Sequence, residues 1–189
     1  MPTHGDRAVR AHDILTVILT ALAPIWPGDS RIEDQPLGDC WHHRALRGPG
    51  LTAGWMPFHK LSQWLTYSLL EPFGSAGVHV TDLDELTGLP EYRNGGLLLD
   101  TDVVRLRDVD SATRNFSPAD ELVVEWRALT VALLDELAPL VREQLGVTAD
   151  EMPLARILEG GTWAAGRQLA QQLRGGLPPL SIVSDGTVF

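Results

Sequence analysis

Gly54-Trp-Met-Pro-Phe-His-Lys-Leu-Ser-Gln-Trp-Leu-Thr-Tyr-Ser-Leu-Leu-Glu-Pro72, followed by Leu86-Thr-Gly-Leu-Pro-Glu-Tyr-Arg-Asn-Gly-Gly-Leu97, is the part of the chain that decides its reading. Pro57 suits the first turn of a helix, and Pro72 closes the same helix just after Glu71. At about 100° per residue, Phe58, Leu61, Leu65 and Leu69 make one narrow apolar stripe. His59, Gln63 and Thr66 form a second row, and Lys60, Trp64, Tyr67 and Glu71 a third. A plain surface helix would carry solvated Glu, Lys and Arg opposite its core stripe. Here that side offers imidazole, amide, hydroxyl, indole and phenol, the groups that orient a small polar ligand between aromatic walls. Two readings stay open: a ligand-gripping face, or aromatics extending the core with His59 and Gln63 satisfied inside it. Lys60 leans toward the first, because it is the only lysine among 15 basic residues and a compact ammonium differs from a guanidinium.

Composition narrows the classes. With 189 residues and 44% hydrophobic content the chain can bury one real core. A formal net charge of −10 argues against binding nucleic acid or anionic membrane lipid. The longest apolar run, Ile14 to Ile25, is too short to span a bilayer and contains Pro24. The polar amino terminus does not read as a signal peptide. A single cysteine, Cys40, excludes an internal disulfide and fits a reducing compartment. The expectation is a cytoplasmic, acidic globular protein.

Residues 1–10 read as a flexible leader and 11–189 as one helical domain. Ala11 to Ile25 is an amphipathic helix with Ile14, Leu15, Ile18, Leu19 and Leu22 buried, ended by Trp26-Pro27-Gly28-Asp29. Ser30 to Ala53 reads as ordered loop. Within it Cys40, His42 and His43, with His59, lack the ligand number and spacing of a zinc site, so neither metal nor cofactor is expected. Trp41 anchors that loop, and Asp39 bonds nearby backbone amides. Thr81 caps a short helix from Asp82 to Thr87, closed by Gly88. Leu97–Asp100 and Val103–Arg107 read as a small hairpin.

Ser117-Pro118-Ala119-Asp120 starts a long helix with a capping serine; it runs to about Leu145, kinked near Pro139. Leu122, Trp126, Leu129, Leu133, Leu137 and Leu140 form its main stripe. Arg127 and Glu125 lie among apolar neighbours, which predicts that each is paired. Ala149 to Leu158 reads as another helix. Thr162 caps a last one, from Trp163 to Arg174. Gly160-Gly161 before it either frees amides for an anion beside Arg167 or is ordinary capping. The tail from Leu180 is β-like. The fold class is therefore mainly α, with a small β-hairpin and short β elements.

The quoted phrases, together with Glu121-Leu-Val-Val-Glu-Trp-Arg-Ala-Leu-Thr-Val131, Gly160-Gly-Thr-Trp-Ala-Ala-Gly-Arg167 and the terminal Ser184-Asp-Gly-Thr-Val-Phe189, resemble the uracil-catabolism protein family of bacteria and fungi. Its members are about twice this length, and the chain looks like their carboxy-terminal half. The resemblance implies a step in breaking down uracil through a ribosylated, ring-opened intermediate that releases urea. N-glycosidic cleavage of a ribosylurea fits that step. The family is also distantly similar to helical nucleotide glycosidases of the DNA-glycosylase type.

Such a cleavage needs a carboxylate at an oxocarbenium-like centre and a proton donor for the leaving nitrogen. Glu91 is the first candidate, held after a rigid Leu-Pro, with Glu71 the second. Gln63 and Asn94 suit a urea or uracil edge, since amides both donate and accept. Arg93, Lys60 or Arg167 would hold a 5′-phosphate, and Trp64 or Tyr67 would stack on a planar ligand. His59, Tyr92 and Arg127 complete the candidate binding set. The rival class is a non-catalytic half that completes a site only with the amino-terminal half or by self-association.

Overall fold

The computed structural model describes residues 7–22, 25 and 30–184. The expected stop of the first helix at 26–29, the leader's residues 1–6 and the tail beyond 184 lie outside them. The architecture is mainly helical, as the periodicity predicts. The strands are β1 (Arg7–Arg10), β2 (Arg31–Ile32), β3 (Gln35–Pro36), β4 (Cys40–His42), β5 (Trp55–Pro57), β6 (Val78–Thr81), β7 (Asn115–Phe116) and β8 (Ser181–Ile182). The helices are α1 (Ala11–Leu22), α2 (Lys60–Ser68), α3 (Leu70–Ser75), α4 (Tyr92–Asp100), α5 (Glu121–Leu145), α6 (Leu154–Ile157) and α7 (Ala164–Arg174). No helix among the described residues is long and apolar enough to cross a membrane.

The strands act as clasps between distant parts of the chain. β1 pairs in parallel with β6, Arg7 opposite Val78, so the second half of the expected leader is ordered. β7 pairs in parallel with β8, Phe116 opposite Ile182. β2–β3 is an antiparallel hairpin within the segment read as loop; β4, also within it, pairs antiparallel with β5, which takes up Pro57, read from the sequence as a helix start.

α5 is the axis. Near its start Val123 and Trp126 pack with Phe116 and Leu180. More than two turns further along, Leu134 and Ala138 pack with Leu154, Ile157 and Leu158. A third cluster, Ala11, Leu15 and Leu86, seats α1. Burying each such large apolar side chain contributes about 1.5–3 kcal/mol. Four expectations change here. The stripe drawn through Leu129, Leu133, Leu137 and Leu140 is not the core face. The buried face of α5 is Val123, Val124, Trp126, Arg127, Thr130, Leu134 and Ala138, while Leu129 is 39% and Leu140 57% exposed. Glu125 is exposed rather than buried. The helix runs as one element through Pro139. Its cap is Asp120, whose carboxylate accepts from the Ser117 amide at 2.7 Å, with Ser117 one turn upstream.

The expected hairpin is instead α4. Glu91 caps it, accepting from the Asn94 amide, and Val103 to Arg107 follows in irregular backbone. Gly95 and Gly96 disguised the helix, since glycine is a poor helix former. They are needed because a Cβ on Gly95 would strike the Trp126 indole and the Thr130 hydroxyl, and one on Gly96 would press on Pro179. The helix read as Phe58–Glu71 is shorter and broken: α2 begins after His59, and Pro72 sits in the first turn of α3, where its missing N–H costs nothing. Asp82 to Thr87 holds only a 3-10 turn, Leu83–Glu85, capped at Asp82. The helix expected over 149–158 contracts to α6, after Pro153.

α7 packs closely on α4: a Cβ on Gly166 would overlap the Arg93 carbonyl oxygen, and backbone cannot move aside as a side chain can. Gly166→Ala is expected to destabilise the protein by about 2 kcal/mol or more through overpacking. Gly160→Ala, where a Cβ meets nothing within 4 Å, should be neutral or mildly stabilising. Equilibrium denaturation of both variants checks this, and equal losses would contradict the packing account.

Candidate functional site

The site starts from Asp39 and Arg127. Nη1 and Nη2 of Arg127 donate to the two Asp39 carboxylate oxygens at 2.7 and 2.8 Å, and Nε donates to the Pro90 carbonyl at 3.1 Å. The Phe58 ring centroid lies 4.1 Å from the guanidinium carbon. Arg127 is therefore paired, as its setting among valines and leucines predicts. Burial alone would raise the Asp39 pKa. The hydrogen bonds and charge of Arg127, with the Lys60 amide and the Trp41 indole, outweigh it and hold the carboxyl below its ordinary range.

Asp39 also builds the start of α2. Its carbonyl accepts from the Phe58 and His59 amides at 2.9 and 3.1 Å, and its Oδ2 from the Lys60 amide at 2.9 Å. A carboxylate from β4 thus satisfies a donor that the first turn of a helix leaves open. His59 is bent into the left-handed region, φ 49°, where histidine is more tolerated than most residues. Burial lowers its pKa and so favours the neutral imidazole; the Asp39 charge opposes that and the Arg127 charge adds to it.

From this start α2 turns its polar row inward. Lys60, Ser62, Gln63 and Thr66 are buried, whereas Leu61, Leu65 and Leu69 are only half-buried. The covered face draws on the second row through Gln63 and Thr66 and on the third through Lys60, while of the apolar stripe only Phe58, ahead of the helix, is fully buried. Thr66 is satisfied by the Ser62 carbonyl at 2.8 Å. Gln63 Oε1 is buried without a hydrogen-bond partner. An orphan acceptor of this kind costs about 1–3 kcal/mol.

Glu91 is 3% exposed. Oε1 accepts from the Asn94 amide at 2.7 Å, and Oε2 lies 3.9 Å from Arg93 Nη1. Burial raises the Glu91 pKa; the amides of Asn94 and Arg93 and the charges of Arg93 and Lys60 only partly offset it. The Arg93 guanidinium lies 4.4 Å from the Tyr92 ring centroid and 4.9 Å from that of Trp163. Arg167, exposed on α7, approaches the same indole at 5.5 Å. Asn94 is engaged at both ends of its amide: Nδ2 donates to the Leu89 carbonyl at 3.1 Å, and Oδ1 accepts from the Thr162 hydroxyl at 2.9 Å.

Contacts through Asp39 and Pro90 thus bring His59, Lys60, Glu91, Arg93, Asn94 and Arg127 into one buried or half-buried polar layer, and Gln63 is buried one turn along α2 from His59. The structure leaves others apart. Glu71 is exposed in the first turn of α3, and Trp64 is 47% exposed. Tyr67 packs between two apolar clusters and donates to the Thr87 carbonyl at 2.9 Å, with its pKa raised by burial and by Asp84 and Asp135. Neither reading of Gly160-Gly161, anion nest or ordinary helix cap, describes the segment. Leu158–Trp163 is a π-helical turn joining α6 to α7, and Thr162 is inside it rather than a cap. Around β4, the His42 ring meets Trp55 edge-on at 5.6 Å, and burial with the nearby Asp39 charge pushes the Cys40 thiol to about 11. Among the described residues no group of three or more His, Cys, Asp and Glu side chains could hold a metal ion. Sequence reasoning missed two partners, Asp39 for Arg127 and Thr162 for Asn94; only the demand that buried Arg127 be paired pointed toward the first.

Residues 2–189 match the family described as Protein of unknown function (DUF1688). The chain is 45% identical over 191 residues to Protein urg3 of Schizosaccharomyces pombe, an alignment covering 98% of this chain and 46% of that protein. It is 38% identical over 210 residues to Uracil catabolism protein 4 of Lachancea kluyveri, covering 98% and 47%. The chain spans about half the length of these curated relatives. No solved structure matches it.

Asp39→Ala, which strands Arg127 in the interior, should cost about 3–5 kcal/mol. The double replacement Asp39→Ala/Arg127→Met should cost clearly less than the sum of the singles, measured as a double-mutant cycle in urea. His59 adds a pH dependence. Its folded pKa lies below the unfolded value of about 6.5, so its stabilisation is complete above that value and lost as pH falls toward the folded pKa. The thermal midpoint of His59→Asn should therefore fall less steeply than the parent's between about pH 7 and 5.

Proposed function

This chain belongs to the DUF1688 family, and from that premise we propose that it serves uracil catabolism by supplying the acid and the leaving-group seat of an N-ribosidase for a ribosylurea-type substrate. The observation that carries this is Glu91, a sealed carboxyl whose pKa burial raises. A carboxyl held toward its neutral form is suited to protonate a departing nitrogen as the C1′–N bond breaks. That favours the proton-donor role over the charge-stabilising carboxylate expected from the sequence.

Gln63 supports the substrate class. Its orphan Oε1 calls for a donor, and a urea or uracil edge presents N–H groups in the right sense. Arg93 and Arg167, both set against Trp163, are the cations available for a 5′-phosphate. Asn94 and Arg127 act as positioning residues, because their polar atoms tie α4 to the π turn and α5 to β4. The name of one relative, Uracil catabolism protein 4, is consistent with this substrate chemistry.

The test is release of urea or base from a panel of N-ribosides, with and without 5′-phosphate, by the chain alone and by a family-length protein. Glu91→Gln keeps an acceptor for the Asn94 amide and should fold, but kcat should drop by about 10²-fold or more. Gln63→Leu should raise KM for ureido substrates more than it lowers kcat. Unchanged turnover in Glu91→Gln, or no release from any riboside by either form, rejects the proposal.

A further inference from the structure

The strongest feature outside the polar layer is the leucine stripe of α5. Its first members, Leu122 and Trp126, pack into the core around Phe116. The same stripe then emerges: Leu129 and Leu140 are 39% and 57% exposed, and Leu145, further round the helix beside Val141, is 57% exposed. Leu133, Leu137 and Val141 lie between them, half-buried. The steps from Leu129 to Leu133, Leu137 and Leu140 are four, four and three residues, the spacing by which one helix receives another. A shallow, open depression of about 400 Å³ lies along Leu137, Leu140, Val141, Gln144 and Leu145. Scattered exposed leucines are ordinary, but a contiguous apolar strip along several turns marks a contact surface.

We propose that the Leu129–Leu145 face of α5 is the docking surface for the half of a family-length protein that this chain does not contain, received as an apolar helix face. The occupant is chosen by length: 98% of this chain aligns with only 46% and 47% of its relatives, so a segment of equal size is present in the same molecule there. The stripe on α5 is buried where this chain supplies a partner and open where it does not, and the missing cover is apolar. This holds independently of whether the polar layer turns over a riboside.

The experiment co-produces the chain with the part of the Schizosaccharomyces pombe relative outside the aligned region, reading co-purification and complex mass by light scattering. A one-to-one complex is expected, weakened on the order of 30-fold or more by Leu137→Glu or Leu140→Glu. The variants alone should melt within a few degrees of the parent, because these side chains are partly or largely exposed. Hydrogen exchange of the unsubstituted chain gives a second readout, with amides of 129–145 slowed in the complex. Three results overturn the proposal: no complex, a complex indifferent to both substitutions with exchange on α5 unchanged, or a homodimer of this chain that the substitutions dissolve. Riboside turnover is scored separately, so either proposal can fail alone.

Discussion

The bidentate contact between Arg127 and Asp39 fixes where the rest of the polar layer stands. Taking two charges out of water costs several kcal/mol per ion, and an apolar pair of the same shape would serve stability as well or better. What the ion pair supplies is position. Arg127 reaches β4 through Asp39 and the residue before Glu91 through the Pro90 carbonyl. Asp39 in turn holds three consecutive amides, Phe58 to Lys60, at the start of α2. One guanidinium therefore sets the relation between the helix that carries Lys60 and Gln63 and the turn that presents Glu91.

A second consequence is the inversion of α2. A helix normally buries its apolar stripe, yet this one covers Lys60, Ser62, Gln63 and Thr66 and leaves its leucines half-open. Packing alone does not produce that orientation, because burying an amide and an ammonium is unfavourable unless each is answered. The left-handed turn at His59 lies among the three amides that Asp39 holds, directly before the helix begins. The cost is visible in the orphan Gln63 oxygen and in the raised Glu91 pKa. Such costs gather where a fold serves chemistry rather than its own stability.

Much of the architecture is legible in the chain. α1 and α5 follow from apolar spacing, the end of α7 from Gly175, and the pairing of Arg127 from its apolar surroundings. The failures have local causes. Gly95 and Gly96 carried a turn signal, although they serve the close approach of α4 to Trp126 and Pro179. Gly160 and Gly161 imitated a helix start inside a π turn. The leucines of α5 outnumber its smaller core residues, so apolar spacing favours a stripe of which only Leu122 and Trp126 pack around Phe116. The polar layer was half legible: Glu91, Gln63, Lys60 and Arg93 stand out by type and neighbourhood. Asp39 lies 88 residues from Arg127, and Thr162 lies 68 from Asn94; no periodicity records contacts at that range.

Charge sets the terms on which an anionic ligand would enter. The chain carries a formal −10, so at a distance it repels a phosphate rather than steering it. That repulsion is screened beyond about 8 Å at physiological ionic strength. Attraction then has to come from short contacts in a dry setting, where one guanidinium acts more strongly than several exposed ones. Arg93 has such a setting in part: its side chain is 28% exposed, flanked by the Tyr92 and Trp163 rings with Glu91 3.9 Å away. At that separation the carboxyl pairs only loosely with the cation. On the proposed reading, in which Glu91 is the acid, the burial that raises its pKa would also leave Arg93 to an incoming anion, and the two roles would be bound to one another through the packing of α4.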